Sequence, residues 1–320
     1  MRRILLVLLI SYSAGKAQVN PFQILVGSVQ DRDAVVFSIA DTTGTVHYTV
    51  ERNRPYDLPV PSVHVFENGR LLIVDGYAGV IELYDESGGI TQRGMLHGSI
   101  RPDHERIVHM DATPHVAGFV VSESDGSSTS VYRIQSNGAI RSTELTGEAH
   151  AAGIRLSSDG ALAAAGTYSW NGPLLNHRVQ FLEGERIMSS GQHDFKGGLF
   201  GRGDSLFLVY GRNGAAIMDV RTGAIVSETA YEPGSVVNDL VWVEGTSYLA
   251  ISQNSEYVNG RWYFSRLVVL EMTPGKAPVE TRIPSAGPFF EPSLEVSEGG
   301  IFIEIDGLRR DLKDFNPSKD

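Results

Sequence analysis

The residues in this chain that are best suited to acid–base chemistry are histidines, carboxylates and an arginine within short apolar segments. His109 and Asp111 are two residues apart, so they share one face of an extended strand. Polar side chains of these types near the axis of the fold can act as acids, bases or ligands. The candidate catalytic residues are His64, His109, Asp111, Arg155 and Glu295. The alternative interpretation is that they are hydrogen-bonded structural residues at strand edges.

Aromatic residues cluster in the two longest insertions between the predicted strands. Tyr168 and Trp170 lie in one insertion, and Tyr257, Trp262 and Tyr263 lie in the other. Rigid aromatic side chains on projecting loops give contact area at a small entropic cost. These five residues are therefore candidate ligand-binding residues. The alternative is a local hydrophobic cluster that stabilises a long hairpin.

A repeated strand–turn–strand pattern must position both sets of residues. Each copy has a glycine in the turn after its first strand, and these glycines are Gly69, Gly160, Gly203, Gly245 and Gly300. Gly160, Gly203 and Gly245 are 43 and 42 residues apart, and the longer separations leave room for degenerate or extended copies. Asn-Gly and Asp-Gly pairs recur between the apolar segments and favour tight hairpin turns. The pattern therefore indicates about seven units.

Units of about 40 residues with four short strands each are typical of a β-propeller. A single four-stranded sheet has two apolar faces, and each face is buried when such sheets pack against one another. We expect an all-β chain with seven four-stranded blades, with six or eight as alternatives. No window shows a sustained helical period, so helix should be negligible. A strand at about residues 22–27 is expected to pair with the last blade and close the ring.

Two stretches carry a family resemblance, NGRLLIVDGYAGVIELYD at residues 68–85 and SSDGALAAAG at residues 157–166. Both resemble bacterial blades of the WD-repeat or YVTN-like kind, and the resemblance covers most of residues 20–315. It implies the propeller fold. It implies no particular activity, because propellers serve many unrelated functions.

Asn238 and Asp239 are the candidate metal ligands. Asp239 falls in a row that is apolar in most of the equivalent segments, and a charge there needs a partner or a cation. An Asn-Asp pair before an apolar strand also resembles the metal-binding strands of gluconolactonase-type propellers. The other ligands of that family have no match, and the histidine spacings do not fit a zinc module. We therefore expect no cofactor, with calcium or zinc as the alternative.

The first 17 residues have the layout of a signal peptide. Arg2 and Arg3 precede the apolar run Ile4–Ile10, and small residues at Gly15 and Ala17 suit cleavage before Gln18. That run is too short to span a bilayer. Residues 18–320 are then expected to form a single propeller domain that is exported to the bacterial periplasm or the extracellular space. The chain has no cysteine, so it forms no disulfides.

Charge narrows the classes of partner. The formal net charge is −11 and no basic cluster is present, which argues against binding to nucleic acid or to anionic membranes. No stretch after the first 17 residues is long and apolar enough to span a bilayer, so we expect no membrane insertion. The sequence therefore favours a monomeric, non-catalytic propeller that binds a protein, peptide or glycan through one loop face. The alternative is a propeller enzyme of the lactonase, lyase or glycosidase type that uses the polar residues near its axis.

Overall fold

The structure is a computed structural model. It describes the following residues: 7–8, 20–29, 34–53, 60–96, 107–123, 126, 128–145, 149–171, 174–201, 203–258, 261–284, 292–297 and 300–315. These residues form 27 β-strands and one 3₁₀ helix, at Leu312–Phe315. No helix in the described part of the chain is long and apolar enough to cross a membrane.

The strands form seven antiparallel sheets, numbered here in chain order. Sheet 1 contains β1 (Val7–Leu8), β2 (Phe22–Val29), β3 (Ala34–Asp41) and β4 (Val46–Asn53). Sheet 2 contains β5 (Ser62–Val65), β6 (Leu71–Asp75), β7 (Val80–Tyr84) and β8 (Ile90–Met95). Sheet 3 contains β9 (Ile107–Ala112), β10 (Val116–Ser122), β11 (Thr129–Gln135) and β12 (Ile140–Glu144).

The later sheets follow the same order. Sheet 4 contains β13 (His150–Leu156), β14 (Leu162–Asn171), β15 (Leu174–Glu183) and β16 (Arg186–Gly191). Sheet 5 contains β17 (Gly197–Phe200), β18 (Leu206–Tyr210), β19 (Gly214–Asp219) and β20 (Ile225–Ala230). Sheet 6 contains β21 (Val236–Val243), β22 (Thr246–Val258), β23 (Arg261–Met272) and β24 (Val279–Ile283). Sheet 7 contains β25 (Ser293–Ser297), β26 (Gly300–Ile305) and β27 (Leu308–Asp311).

Burial explains why the middle strands of each sheet are so apolar. Every residue of β6 and β7 is buried, whereas β8 at the edge of the same sheet is largely exposed. A middle strand packs on both of its faces, so it reads as a continuous apolar run instead of an alternating one. The predicted all-β class with seven sheets and negligible helix is confirmed, with six sheets of four strands and one of three among the described residues.

The turn glycines behave as predicted at four of the five positions. Gly69, Gly160, Gly203 and Gly245 have positive φ, whereas Gly300 is the first residue of β26. Gly160 combines a φ of +70° with a close approach to the neighbouring sheet. A Cβ atom at this position would lie 2.8 Å from the Cβ of Val116 on β10. This glycine is therefore needed both for the turn and for the packing of sheet 4 on sheet 3.

The strand that was expected to close the last blade lies in sheet 1 instead. Phe22–Val29 pairs along its whole length with Ala34–Asp41, and sheet 7 has three strands among the described residues. A nearby hairpin costs far less loop-closure entropy than a pairing between the two ends of the chain, and this explains the difference. In the predicted signal peptide, only Val7–Leu8 falls within the described residues, and it pairs with Leu25 and Val26 of β2.

The chain divides into two compact units. One contains residues 1–175 and 183–186, and the other contains residues 176–182 and 187–320. The first unit has a core around Phe66, Leu72 and Phe119, which are fully buried between sheets 2 and 3. The second unit has a core around Leu208, Ile217 and Leu249, which are fully buried between sheets 5 and 6.

Candidate functional site

The first-strand polar residues are defined here as His64, His109, Asp111 and Asp239, which lie on the first strands of sheets 2, 3 and 6. The His109 ring hydrogen-bonds the backbone of Ala151. The Asp111 Oδ2 atom accepts a hydrogen bond of 2.8 Å from the backbone N–H of Leu156. Both backbone partners belong to β13, the first strand of the next sheet. His109 and Asp111 therefore join sheet 3 to sheet 4.

His64 makes the same kind of contact one sheet earlier. Its ring hydrogen-bonds the backbone of Thr113, the residue after β9, and packs edge-on against Phe66 with the ring centroids 4.8 Å apart. Burial lowers the pKa of His64 to about 4, so the imidazole is neutral at physiological pH. Its Nε2 atom is buried and has no hydrogen-bond partner among the described residues. His64 is thus a packed structural residue rather than an accessible base.

Asp239 finds its partner in the backbone of the following sheet. Its Oδ2 atom accepts a 2.7 Å hydrogen bond from the N–H of Leu294 on β25, and its Oδ1 atom accepts one of 2.8 Å from Leu240. The pairing of β21 with β22 shifts between Val237 and Asp239, which marks a β-bulge at Asn238. The bulge interrupts the two-residue alternation, and this explains why a carboxylate appears in an apolar row.

The two candidate metal ligands do not converge. The Asn238 side chain donates to Ser252 Oγ, whereas Asp239 is held by backbone amides. In the part of the chain that the structure describes, no group of three or more His, Cys, Asp or Glu side chains is arranged to hold a metal ion. A metal role for Asn238 and Asp239 therefore has no support in their geometry.

Of the candidate catalytic residues, His109, Asp111 and Arg155 come together on β9 and β13. Burial raises the pKa of Asp111, and the Arg155 charge opposes that rise. Burial also lowers the pKa of His109, and Arg155 adds to this effect. Glu295 is engaged elsewhere, because its Oε2 atom lies 2.8 Å from Arg309 Nε in a surface ion pair.

The β14–β15 hairpin presents apolar side chains to solvent. Trp170 is 63% exposed and lies next to the last residue of β14, and Leu174 is 67% exposed and is the first residue of β15. Tyr168 stacks on His150 of β13, with the ring centroids 5.1 Å apart and an angle of 22° between the rings. Tyr168 and Trp170 were predicted together as ligand-binding residues. In the structure Tyr168 is anchored against β13, whereas Trp170 is exposed.

The second aromatic insertion is the β22–β23 hairpin, whose strands have 13 and 12 residues. Tyr257 pairs with Trp262 and Glu256 pairs with Tyr263 across its backbone, as the predicted hairpin requires. The side chains of Tyr257, Trp262 and Tyr263 lie outside the described part of the structure. The base of the hairpin is tied to the preceding loop, because Arg266 Nη1 lies 2.8 Å from Glu232 Oε1.

Sheets 1 and 2 share a buried ionic cluster that the sequence did not predict. Arg52 of β4 lies 3.1 Å from Glu82 and 3.8 Å from Asp75, and both carboxylates are buried. The Tyr84 hydroxyl donates to Glu82 Oε2 at 2.8 Å, and Arg93 reaches Glu82 Oε1 at 3.2 Å. Asp75 also accepts the backbone N–H of Ala78, as its predicted turn role requires.

Sheet 5 carries a cavity that sequence reasoning also missed. It has a volume of about 520 Å³ and its lining includes His193, Asp194 and Glu228. These residues come from two separate segments around the Asn213-Gly214 turn. The Asn-Gly pair predicts the turn. No spacing rule, however, connects this turn with His193, about 20 residues earlier, or with Glu228, 15 residues later. A sequence signal for the cavity is therefore absent.

Comparison with known proteins bears on the fold alone. No protein-family profile and no curated protein matches the chain. Among solved structures, a mitotic checkpoint complex chain is 15% identical with a TM-score of 0.51, and 90% of this chain and 83% of that chain are covered. Hsv2 from Kluyvelomyces marxianus is 8% identical with a TM-score of 0.51, and the coverages are 92% and 83%. Virginiamycin B lyase from Staphylococcus aureus is 14% identical with a TM-score of 0.45, and the coverages are 96% and 97%. The seven repeated sheets and the two likenesses with TM-scores of 0.51 show that the chain has the β-propeller fold.

Proposed function

We propose that this chain is an exported, non-catalytic β-propeller that binds a protein or peptide through the loop face that carries the β14–β15 hairpin. The observation that carries the proposal is the exposure of Trp170 and Leu174, which lie four residues apart at the tip. Tryptophan is enriched at the centre of binding interfaces, and Leu174 adds exposed apolar area at the same end of the hairpin. A glycan is the less favoured ligand, because Leu174 offers no hydrogen bond to a sugar.

The anchored base of the hairpin supports this proposal. Tyr168 stacks on His150, and the two strands extend ten residues each. A projecting hairpin that is already ordered loses little conformational entropy when it binds. The exposed tip is therefore suited to making contacts rather than to filling the core.

The first-strand polar residues support a binding function over a catalytic one. His109 and Asp111 each bond to the backbone of β13, and His64 bonds to the backbone of Thr113, the residue after β9. A catalytic acid or base needs a free atom within reach of a substrate. The second candidate function is the propeller enzyme, and the observation in its favour is the approach of His109, Asp111 and Arg155 to one another.

Export is the second part of the proposal, and it rests on residues 1–17. Their basic, apolar and small segments follow the order of a signal peptide. A chain without cysteine is equally stable in oxidising compartments, because it has no thiol that could mispair.

A photo-crosslinking experiment tests the binding surface. p-Benzoylphenylalanine replaces Trp170 in one variant and Ile90 in a control variant, since Ile90 is also apolar and is 55% exposed on β8. After irradiation in cells, we expect a discrete protein adduct from position 170, identified by mass spectrometry, and none from position 90. Equal adducts from both positions, or none from position 170, would contradict the proposal.

A further inference from the structure

The cavity of sheet 5 lies at one end of that sheet. The segment before β17, the β18–β19 turn and the end of β20 all border it. In an antiparallel sheet of four consecutive strands these three places fall at the same end. A volume of about 520 Å³ is within the range of small-ligand sites.

Two glycines form its wall because no larger residue fits there. A Cβ atom at Gly211 would lie 2.6 Å from the Cβ of Asp194, and one at Gly214 would lie 2.6 Å from the carbonyl oxygen of Thr229. The wall is held in place by hydrogen bonds, since Tyr231 OH donates to Gly211 O and Gly211 N donates to Gly214 O. Both glycines are therefore needed for this wall of the cavity.

The lining is acidic. Asp194 is held in position, because its Oδ2 atom accepts the Arg212 N–H at 2.8 Å and its Oδ1 atom lies 3.3 Å from His177. Glu228 is exposed, and its carboxylate has no hydrogen bond or ion pair with any described residue. His193 bonds to the Asp194 carbonyl oxygen, and burial lowers its pKa, which favours the neutral ring. The lining thus holds two carboxylates, and no lysine or arginine is among the described residues that line it.

We propose that this cavity binds an organic cation, an alkylammonium or guanidinium group, with Glu228 as its ion-pair partner and Asp194 as a second carboxylate. A metal ion is the weaker occupant, because no three ligating side chains converge anywhere in the described chain. The cation belongs either to a peptide side chain or to a free small molecule. The site is independent of the β14–β15 hairpin, so either proposal can fail without the other.

Calorimetric titration of the full chain tests this site with three probes. Nα-acetyl-arginine methylamide represents a peptide side chain, propylguanidinium represents a free cation, and Nα-acetyl-citrulline methylamide is the neutral isostere. We expect at least one of the guanidinium probes to bind about tenfold more tightly than citrulline, as one charge-assisted hydrogen bond allows. Binding of both probes supports a site open to peptides, and binding of propylguanidinium alone supports a small-molecule site. Equal binding of the citrulline probe overturns the proposal.

A pair of variants locates the site. Glu228→Gln keeps the size of the side chain and removes its charge, so the affinity for the guanidinium probe should fall about tenfold. Glu280→Gln is the matched control, because Glu280 is exposed on β24, the fourth strand of sheet 6, as Glu228 is on β20 of sheet 5. Unfolding midpoints check that both variants are folded. An unchanged affinity in Glu228→Gln, or an equal loss in Glu280→Gln, overturns the assignment.

Discussion

Polar residues are usually exposed and apolar residues usually buried, but two regions of this molecule depart from this pattern. The polar residues of the first strands are half-buried, and the apolar residues at the end of the β14–β15 hairpin are exposed. His109 and Asp111 are polar and half-buried, and each hydrogen-bonds the backbone of the neighbouring strand β13. Trp170 and Leu174 are apolar and exposed, and no core covers them. A buried polar group that has its hydrogen bonds is explained by the fold, whereas an exposed apolar pair is not. We therefore assign a structural role to the polar residues of the first strands and a binding role to Trp170 and Leu174.

Among the variants that test the buried polar residues, Arg52→Ala is expected to lose the most unfolding free energy. Loss of the guanidinium removes the buried cation from beside Glu82 and Asp75 and leaves Glu82 paired with the exposed Arg93, and Arg52 is itself only 15% exposed. Removing one partner of a buried ion pair costs about 3–5 kcal/mol of unfolding free energy. Denaturant unfolding of the purified chain measures this loss.

Arg93→Ala is the control from the same cluster. Arg93 also reaches Glu82, but its side chain is 64% exposed. Water replaces an exposed partner at little cost, so the loss should stay below about 1 kcal/mol. If the two variants lose equal unfolding free energy, Arg52 is not the buried partner that stabilises Glu82 and Asp75.

A smaller effect is expected from Asp239→Ala, which removes the acceptor of two backbone hydrogen bonds. The N–H groups of Leu240 and Leu294 would lose their partner at the contact between sheets 6 and 7. Unsatisfied buried amides cost about 1–3 kcal/mol each, and partial access of water reduces the sum, so we expect a loss of about 2–3 kcal/mol. Denaturant unfolding measures it, with Asp85→Ala as the control. Asp85 also accepts two backbone N–H groups, but in an exposed turn, and a larger loss there than at Asp239 would contradict the interpretation.

The sequence predicted the features that depend on local chemistry. Gly69 and Gly160 occupy the expected turns, and Val258 pairs with Arg261 across the β22–β23 hairpin. These follow from the conformational preferences of a few adjacent residues. The seven sheets follow in turn, because each turn glycine marks one copy of the repeat.

The features that the sequence did not predict depend on distant residues. The bulge at Asn238 changes the face that Asp239 presents, and alternation along a single strand does not reveal it. Arg52 meets Glu82 only because two sheets pack together. The closing role expected of residues 22–27 was wrong for a similar reason, since the competition between a near and a distant strand partner is decided by packing and loop entropy.

The same limit applies to the candidate site. The exposure of Trp170 and the anchoring of Tyr168 were indistinguishable in the sequence, since both are aromatic residues of one insertion. Their roles separate only through the contact between Tyr168 and His150.

The most direct test of the central claim compares the double variant Trp170→Ser/Leu174→Ser with His109→Gln. The measurement is the dissociation constant for the partner that is crosslinked at position 170, with the unfolding midpoint as the control for folding. We expect the double variant to lose at least tenfold in affinity, since two apolar anchors of an interface are removed. Its stability should change by less than about 0.5 kcal/mol, because both residues are exposed. His109→Gln should keep the affinity. The opposite result, with affinity retained in the double variant and lost in a folded His109→Gln chain, would place the function at the first strands and contradict the account.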